Sequence, residues 1–344
     1  MKRFFSVFPF LFLVFPIFLF LNAADEDAIA KKKASDDYRT NIIGTQISTP
    51  EELGWTGNEK KCRAGKDSHE TYVKIIARIN YYRRLAGVND NMVLDSSWNK
   101  YAQAAALIMY ANQQLNHHPD ASMKCFSEDG KIGASTSNLS LFHGVSMEAI
   151  IRDEIEDGGE SNKDCGHRRW LLFSKAYKFG FGATPESYAV RDFATEEEKD
   201  TSSFHGKVPE YFGYPFKGFV PFQVVYPKWS FAITGTADFT NASVVAIAGD
   251  KPLVCSIISR GKANYGDPTL IWNVNGIKEE FYYMALVKEG NYYQYYSMDE
   301  KRKAFVSLGL LNKKITVKIS NVKVEGKMKS YSYSFTIIDP DEWK

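Results

Sequence analysis

This 344-residue chain has only four cysteines, Cys62, Cys125, Cys165 and Cys255, and no C-x-x-C pair among them. That excludes a vicinal redox couple and a cysteine zinc knuckle. A charge excess of either sign is also missing. A basic leader takes Lys2 and Arg3 with it and no acid, which turns 43 basic against 41 acidic residues into an even balance. A nucleic-acid binder would carry a basic excess, so none is expected. After residue 21 no stretch is apolar enough to span a bilayer. Histidine is scarce as well, with six in the chain, so each one can be weighed individually.

Aromatics are plentiful at 15%, partly because eight of the 24 Phe fall in the first 20 residues. There Lys2 and Arg3 precede an uncharged apolar run, Phe4 to Leu21. Asn22-Ala23-Ala24 supplies small residues for cleavage before Asp25-Glu26-Asp27. This reads as a signal peptide over residues 1–24 and a secreted, extracellular protein. If the segment stays uncleaved, it is a short membrane anchor, interrupted by Pro9 and Pro16. Export makes disulfides the default state of the four cysteines, in any of three pairings.

The length allows two domains, each with its own core. Residues 25–60 are polar and aperiodic, an exposed arm. Helical spacing starts at Asp67 or Ser68 and stops at Gly87, with Tyr72, Ile75, Ile76 and Ile79 as the apolar stripe. A second helix runs from Ser96-Ser97 to about Leu115, and a third from Ser146 to about Asp157, stopped by Gly158-Gly159. The period then becomes two. Phe179 to Gly182 and Tyr188 to Val190 form a strand pair across Pro185-Glu186. Residues 194–218 read as a linker or surface loop. Beyond them, strands at Val224–Tyr226, Ser230–Ile233, Ser243–Ile247, Leu253–Ile258, Leu270–Trp272, Ile315–Ile319 and Tyr331–Ile337 predict a β-sandwich over 219–340.

Chemistry concentrates in three separated segments: His117-His118-Pro119, Glu154-Ile155-Glu156-Asp157 and Gly166-His167-Arg168-Arg169-Trp170-Leu171-Leu172. Together they can build one polar cleft. His117 and His118 are neighbours and point to different sides, so one at most faces such a cleft. Arg168, Arg169 and Trp170 are read as packing and acid-pairing residues. His69, His143 and His205 are read as surface residues. Ser137 lacks the G-x-S-x-G elbow of a serine nucleophile. Cys165, two residues from His167, fits a disulfide better than a thiol nucleophile in an exported chain. Asn138-Leu139-Ser140 and Asn241-Ala242-Ser243 are glycosylation sequons.

Residues 55–192 resemble the CAP superfamily of cysteine-rich secretory proteins, antigen 5 and plant pathogenesis-related proteins, whose module is also called the SCP domain. The matching stretches are Gly54-Trp55-Thr56-Gly57 with Cys62, Ile79 to Gly87, Leu115 to Pro119, Ser137-Asn138-Leu139 and Gly166 to Leu172. Tyr226 to Phe231 and Tyr265 to Leu270 extend the likeness to secreted bacterial-type members with an added C-terminal domain. The resemblance implies an α+β fold: a CAP-type α-β-α sandwich over 61–193, then an all-β immunoglobulin-like sandwich. It also implies a central cleft lined by two histidines and two acids that can hold a divalent cation (Zn, Mg or Ca). Position by position, the histidines fall on His117 and His167. The second acid falls on Asp157, with Glu154 as rival. The first acid slot holds Ser137, a departure that removes one carboxylate and leaves His117, His167 and Asp157 as the ligand set. Cys62 and Cys125 occupy slots where look-alikes carry cysteine, which favours their pairing and leaves Cys165–Cys255 to tie the two domains.

The expected function is therefore non-enzymatic: a secreted protein whose His-lined cleft binds a cation or a small apolar, lipid- or sterol-like ligand. A metal-dependent hydrolase using the same cleft is the first alternative, weakened by Ser137. An extracellular protein that docks a partner protein or surface through its sandwich is the second.

Overall fold

The computed structural model describes residues 23–141, 147–194, 208–261, 264–278 and 298–344. Residues 1–22 of the segment read as a signal peptide, His143 and His205 lie outside these residues.

The stretch expected to be an exposed arm begins instead with helix α1 (Ala23–Tyr38), whose first turn carries Asp25 and Glu26. Acids there suit the helix dipole. The helix has almost no apolar stripe, which is why periodicity missed it. Cations fasten it to the far end of the chain. The Lys31 ammonium lies 4.6 Å from the Trp343 ring and 5.5 Å from that of Phe219, and Arg39 donates to the Pro340 carbonyl. Such contacts hold a polar helix without a hydrophobic face.

Helix α2 (His69–Ala86) begins at Ser68, whose hydroxyl accepts the Thr71 amide at 3.1 Å, and ends at left-handed Gly87. Helix α3 (Ser96–Asn112) is capped by Asp95 and stops three residues short of Leu115. Helix α4 (Glu128–Ser135), absent from the sequence reading, packs on α3. Gly130, Gly133 and Thr136 kept its propensity low, and the close approach explains them: a Cβ at Gly133 would sit 2.0 Å from the Tyr101 carbonyl oxygen.

Strands β1 (Ser137–Leu141), β2 (Gly180–Thr184) and β3 (Ser187–Arg191) form an antiparallel sheet in the order β1-β3-β2. Alternation along the strands sends side chains to opposite faces. Leu139 and Ala189 pack with Ala102, Ala105 and Met109 of α3 on one face. Phe181, Tyr188 and Val190 join Ile75 and Ile79 of α2 in the other core. The result is helix, sheet, helix.

The third expected helix is broken. A single 3-10 turn covers Met147–Ala149, Ile151 takes φ +69°, and only α5 (Arg152–Glu156) is α-helical. Left-handed backbone is costly in a β-branched residue. Here it goes with complete burial of Ile150, Ile151 and Ile155, which a continuous helix would have spread around its axis. Asp157, itself left-handed, ends α5, so the helix stops before Gly158-Gly159. Helix α6 (Gly166–Leu171) carries the GHRRWL stretch.

Among the described residues the C-terminal region is β apart from one α-helix and two 3-10 turns. Strand β4 (Tyr211–Tyr214) falls inside the segment read as linker, and β5 (Gly218–Pro221) begins at its last residue. They are followed by β6 (Lys228–Ile233), β7 (Ala237–Asp238), β8 (Ser243–Ala248), β9 (Lys251–Leu253), β10 (Cys255–Gly261) and β11 (Thr269–Val274). Helix α7 (Met298–Ser307) precedes the long hairpin β12 (Lys314–Val324) and β13 (Lys327–Ile338). One sheet runs β10-β11-β6-β4 and the other β5-β13-β12-β8-β9, with β7 on β12. Trp229 meets Phe335 and Phe231 meets Tyr333 between the sheets, at 5.2 and 6.3 Å. Val224, expected in a strand, belongs to a 3-10 turn between Pro221 and Pro227.

The two regions share their larger core, beside the smaller cluster that α3 forms with the three-stranded sheet. Ile79, Ile155 and Phe181 belong to the same continuous cluster as Trp229, Val317 and Phe335. Cys62 and Cys125 are disulfide-bonded. Cys165 and Cys255 are not. Cys165 is fully buried beside Arg168 and Asp157, whereas Cys255 meets Ala246 and Tyr333 inside the sandwich, so the expected tie between them does not form.

Candidate functional site

The site grows from the turn between α5 and α6. Asp157 closes α5 with its side chain fully buried. One carboxylate oxygen meets Nδ1 of His167 at 2.8 Å. The other accepts the Arg168 backbone amide at 3.2 Å. Both oxygens are thus engaged within the protein, and His167 is held by a carboxylate that fixes its ring, leaving 30% of the side chain exposed. From β1, the Asn138 amide donates to the His167 carbonyl at 3.1 Å.

Around this pair sits a buried acidic group. Asp153 accepts from Ser140 at 2.9 Å and from the Tyr188 hydroxyl. Glu154 is 3% exposed, and its Oε2 has no hydrogen-bond partner. Asp192 follows β3, next to the Ser137–Arg191 pair, and both of its carboxylate oxygens are buried without a partner. Ser137 Oγ is buried and unpartnered too.

Burial pushes Glu154 up to about 8; the His167 charge opposes the rise, while Asp153 and Asp157 add to it. Burial likewise holds Asp192 well above the usual carboxylate range, reinforced by Glu154 and opposed by His167. For His167, burial alone would lower the value, but Asp157, Glu154 and Asp153 outweigh it and hold the imidazole at about 10. At neutral pH the arrangement is an imidazolium paired with Asp157, beside a Glu154 carboxylic acid that keeps its proton.

His117 stands apart. It is exposed, and its Nδ1 meets the Ala134 carbonyl at 2.8 Å, at the end of α4. Among the described residues no hydrogen bond or ion pair joins it to His167, Asp157 or Glu154. Neither do any three His, Cys, Asp or Glu side chains among them come together so as to hold a metal ion. Asp157 gives one oxygen to His167 and the other to the Arg168 amide, and among the described residues it forms no metal-holding cluster with His117 and His167. His118 is exposed, as is His69.

Long-range cations support the site. Lys228, at the start of β6, is 4% exposed and donates to the carbonyls of Asp157 and Gly159 at 2.6 and 2.7 Å. Arg168 stacks over Tyr214 at 4.1 Å and donates to the carbonyls of Ile155, Glu156 and Lys228. Arg169 donates to the Asp267 carbonyl. Arg168 binds backbone carbonyls where a carboxylate partner had been expected, while Arg169 also feels the charges of Asp164 and Asp267. Trp170 stacks on Phe193 at 4.8 Å. Cys165 is pushed up to about 11 by burial, which leaves an inert thiol and no nucleophile. Asn138 is buried, so its sequon offers no acceptor; Asn241 is exposed.

Sequence reasoning missed Asp153, Asp192, Tyr188 and Lys228. For Asp192 a signal existed: period two from Tyr188 through Val190 puts residue 192 on the same face. Lys228 is placed by tertiary packing alone.

An α-β-α layer with a histidine-carboxylate pair at its helical edge defines the class. Residues 76–193 match the family model described as CAP, the cysteine-rich secretory protein family, and the chain carries a CAP domain. The match spans His117, Ser137, Glu154, Asp157, His167 and Asp192 and stops short of Lys228. No curated protein and no solved structure matches the chain.

Proposed function

We propose that this is a secreted, non-enzymatic binding protein that holds a small lipid- or sterol-like ligand at His167. The observation that carries the reading is the double commitment of Asp157, one oxygen to His167 Nδ1 and one to the Arg168 amide. It fixes the ring and leaves Nε2 as a hydrogen-bond donor for the ligand's polar head. A hydrolase needs instead an imidazole that is free base near neutral pH and within reach of a nucleophile. His167 is held protonated, and Ser137 Oγ has no hydrogen-bond partner. The Cys62–Cys125 disulfide supports an exported protein.

Native mass spectrometry of the mature, disulfide-bonded protein tests this, with oleate and zinc as probes. The expected result is an oleate adduct lost in His167→Ala and kept in His117→Ala. A zinc adduct that needs both histidines would overturn the absence of a metal set. Turnover of a chromogenic ester, abolished in His167→Ala, would establish the hydrolase instead. A protein that takes up neither probe and cleaves no ester refutes a working cleft.

A further inference from the structure

From residue 313 to residue 338 the chain carries six lysines and one acid, Glu325. The segment contains the β12–β13 hairpin, and all six lysines are exposed. In a chain with nearly balanced charge this is a strong local segregation. Alternation along β12 buries Ile315, Val317 and Ile319 and sends Lys314, Thr316, Lys318 and Ser320 outward. An irregularity between Ile319 and Val322, with Asn321 at φ +60°, resets the alternation so that Lys323 is exposed again. Lys314 and Lys318 therefore stand about 13 Å apart on one face, at about 3.3 Å per residue. Their cross-strand neighbours on β13 are Thr336 and Ser332, with Ser334 opposite Thr316. The Thr316 and Ser334 hydroxyls lie 3.0 Å apart.

Two ordinary explanations fail. Lysines often guard edge strands against pairing, but β12 is interior, flanked by β13 and β8. A merely solvated face mixes both signs. Here Lys329 pairs with Glu210 and Lys323 stands opposite Asp238 of β7, while Lys314 and Lys318 have no carboxylate partner among the described residues.

We infer that the outer face of β12 and β13 is a docking surface for a linear acidic polysaccharide. The lysine row meets its carboxylate or sulfate groups, and the hydroxyls of Ser332, Ser334 and Thr316 meet its sugar hydroxyls. Point charges on flexible stems suit a chain of regularly spaced anions without demanding one geometry. On the neighbouring strand β8, Val245, 50% exposed, stands opposite Lys318. Met328, 58% exposed at the hairpin tip, makes an anionic lipid surface the other class to test. The inference is independent of the cleft.

The test uses the mature protein on immobilised heparin, with neutral dextran as control. Three neutralised charges, at the salt slope of duplex DNA, predict about a forty-fold loss of affinity between about 50 and 200 mM salt. Lys314→Glu/Lys318→Glu/Lys323→Glu should abolish retention. Lys60→Glu/Lys61→Glu/Lys66→Glu, an equal charge change at exposed sites elsewhere, should leave it intact. Ser332→Ala/Ser334→Ala should weaken heparin binding without touching any charge. Equal losses from both lysine triples would reduce the effect to bulk charge and overturn the assignment. So would binding to phosphatidylserine vesicles with none to heparin, or no retention of the wild type at low salt.

Discussion

Lys228, a residue of the β-sandwich, donates its ammonium to the carbonyl of Asp157, the residue that orients His167 in the CAP domain. The distance is 2.6 Å, and the contact is buried. The sandwich thus holds the turn on which the site depends.

Replacing this lysine tests that dependence. Lys228→Met keeps the stem and deletes the charge, leaving the Asp157 carbonyl unmatched and the Gly159 carbonyl with the Asn162 amide. A buried acceptor so stranded costs about 1–3 kcal/mol. Urea unfolding should show a loss of that order, and ligand retention at His167 should fall with it. An unchanged midpoint would mean that water replaces the ammonium without cost.

The His167–Asp157 pair makes a spectroscopic prediction. Asp157→Asn keeps the shape and removes the charge. His167, held at about 10 in the wild type, should then titrate at a lower pH. Histidine NMR titration reads this directly, with exposed His117 and His118 as internal references. A His167 resonance that still titrates near 10 would shift the credit to Glu154 and Asp153.

Stability should decline as pH rises through the neutral range. Glu154 is raised from 4.5 to about 8, so between those values the folded state holds a proton that the unfolded state has released. His167 is raised from 6.5 to about 10, and its contribution is complete below 6.5 and lost as pH climbs through 10. Both shifts give the same sign. Thermal melts from pH 5 to pH 10 should show a falling Tm. Glu154→Gln should flatten the part below about pH 8 and leave the alkaline part. A Tm that rises over this range would contradict both assignments.

The disulfide closes a long loop. Cys62 and Cys125 are 63 residues apart, for which chain entropy gives about 4 kcal/mol. Cys62→Ser/Cys125→Ser should lower stability by that order in urea unfolding. Alkylation of the denatured, unreduced protein should label two thiols, Cys165 and Cys255. Labelling of none would mean that these two pair after all.

Local signals carried well. Ser68 and Gly87 bound α2 because a hydroxyl cap and a left-handed glycine act over a few residues. The Pro185-Glu186 turn joined β2 to β3 as its composition suggests. His167 and Asp157 were legible because each sits beside a helix end. The polar helix α1 was not, since its anchors are rings 188 and 312 residues away in sequence. Slot matching singled out His117 but could not show that its Nδ1 meets the Ala134 carbonyl. Ser137 suggested a missing carboxylate, and the next strand brings Asp192 beside that gap. Such pairings depend on register, which a single sequence does not state.

The continuous core has a consequence for how the molecule comes apart. Ile155, beneath the site, and Trp229, at the centre of the sandwich, belong to one apolar cluster. Heat or denaturant should therefore dissolve both halves in a single cooperative transition, and the CAP half has no melting point of its own.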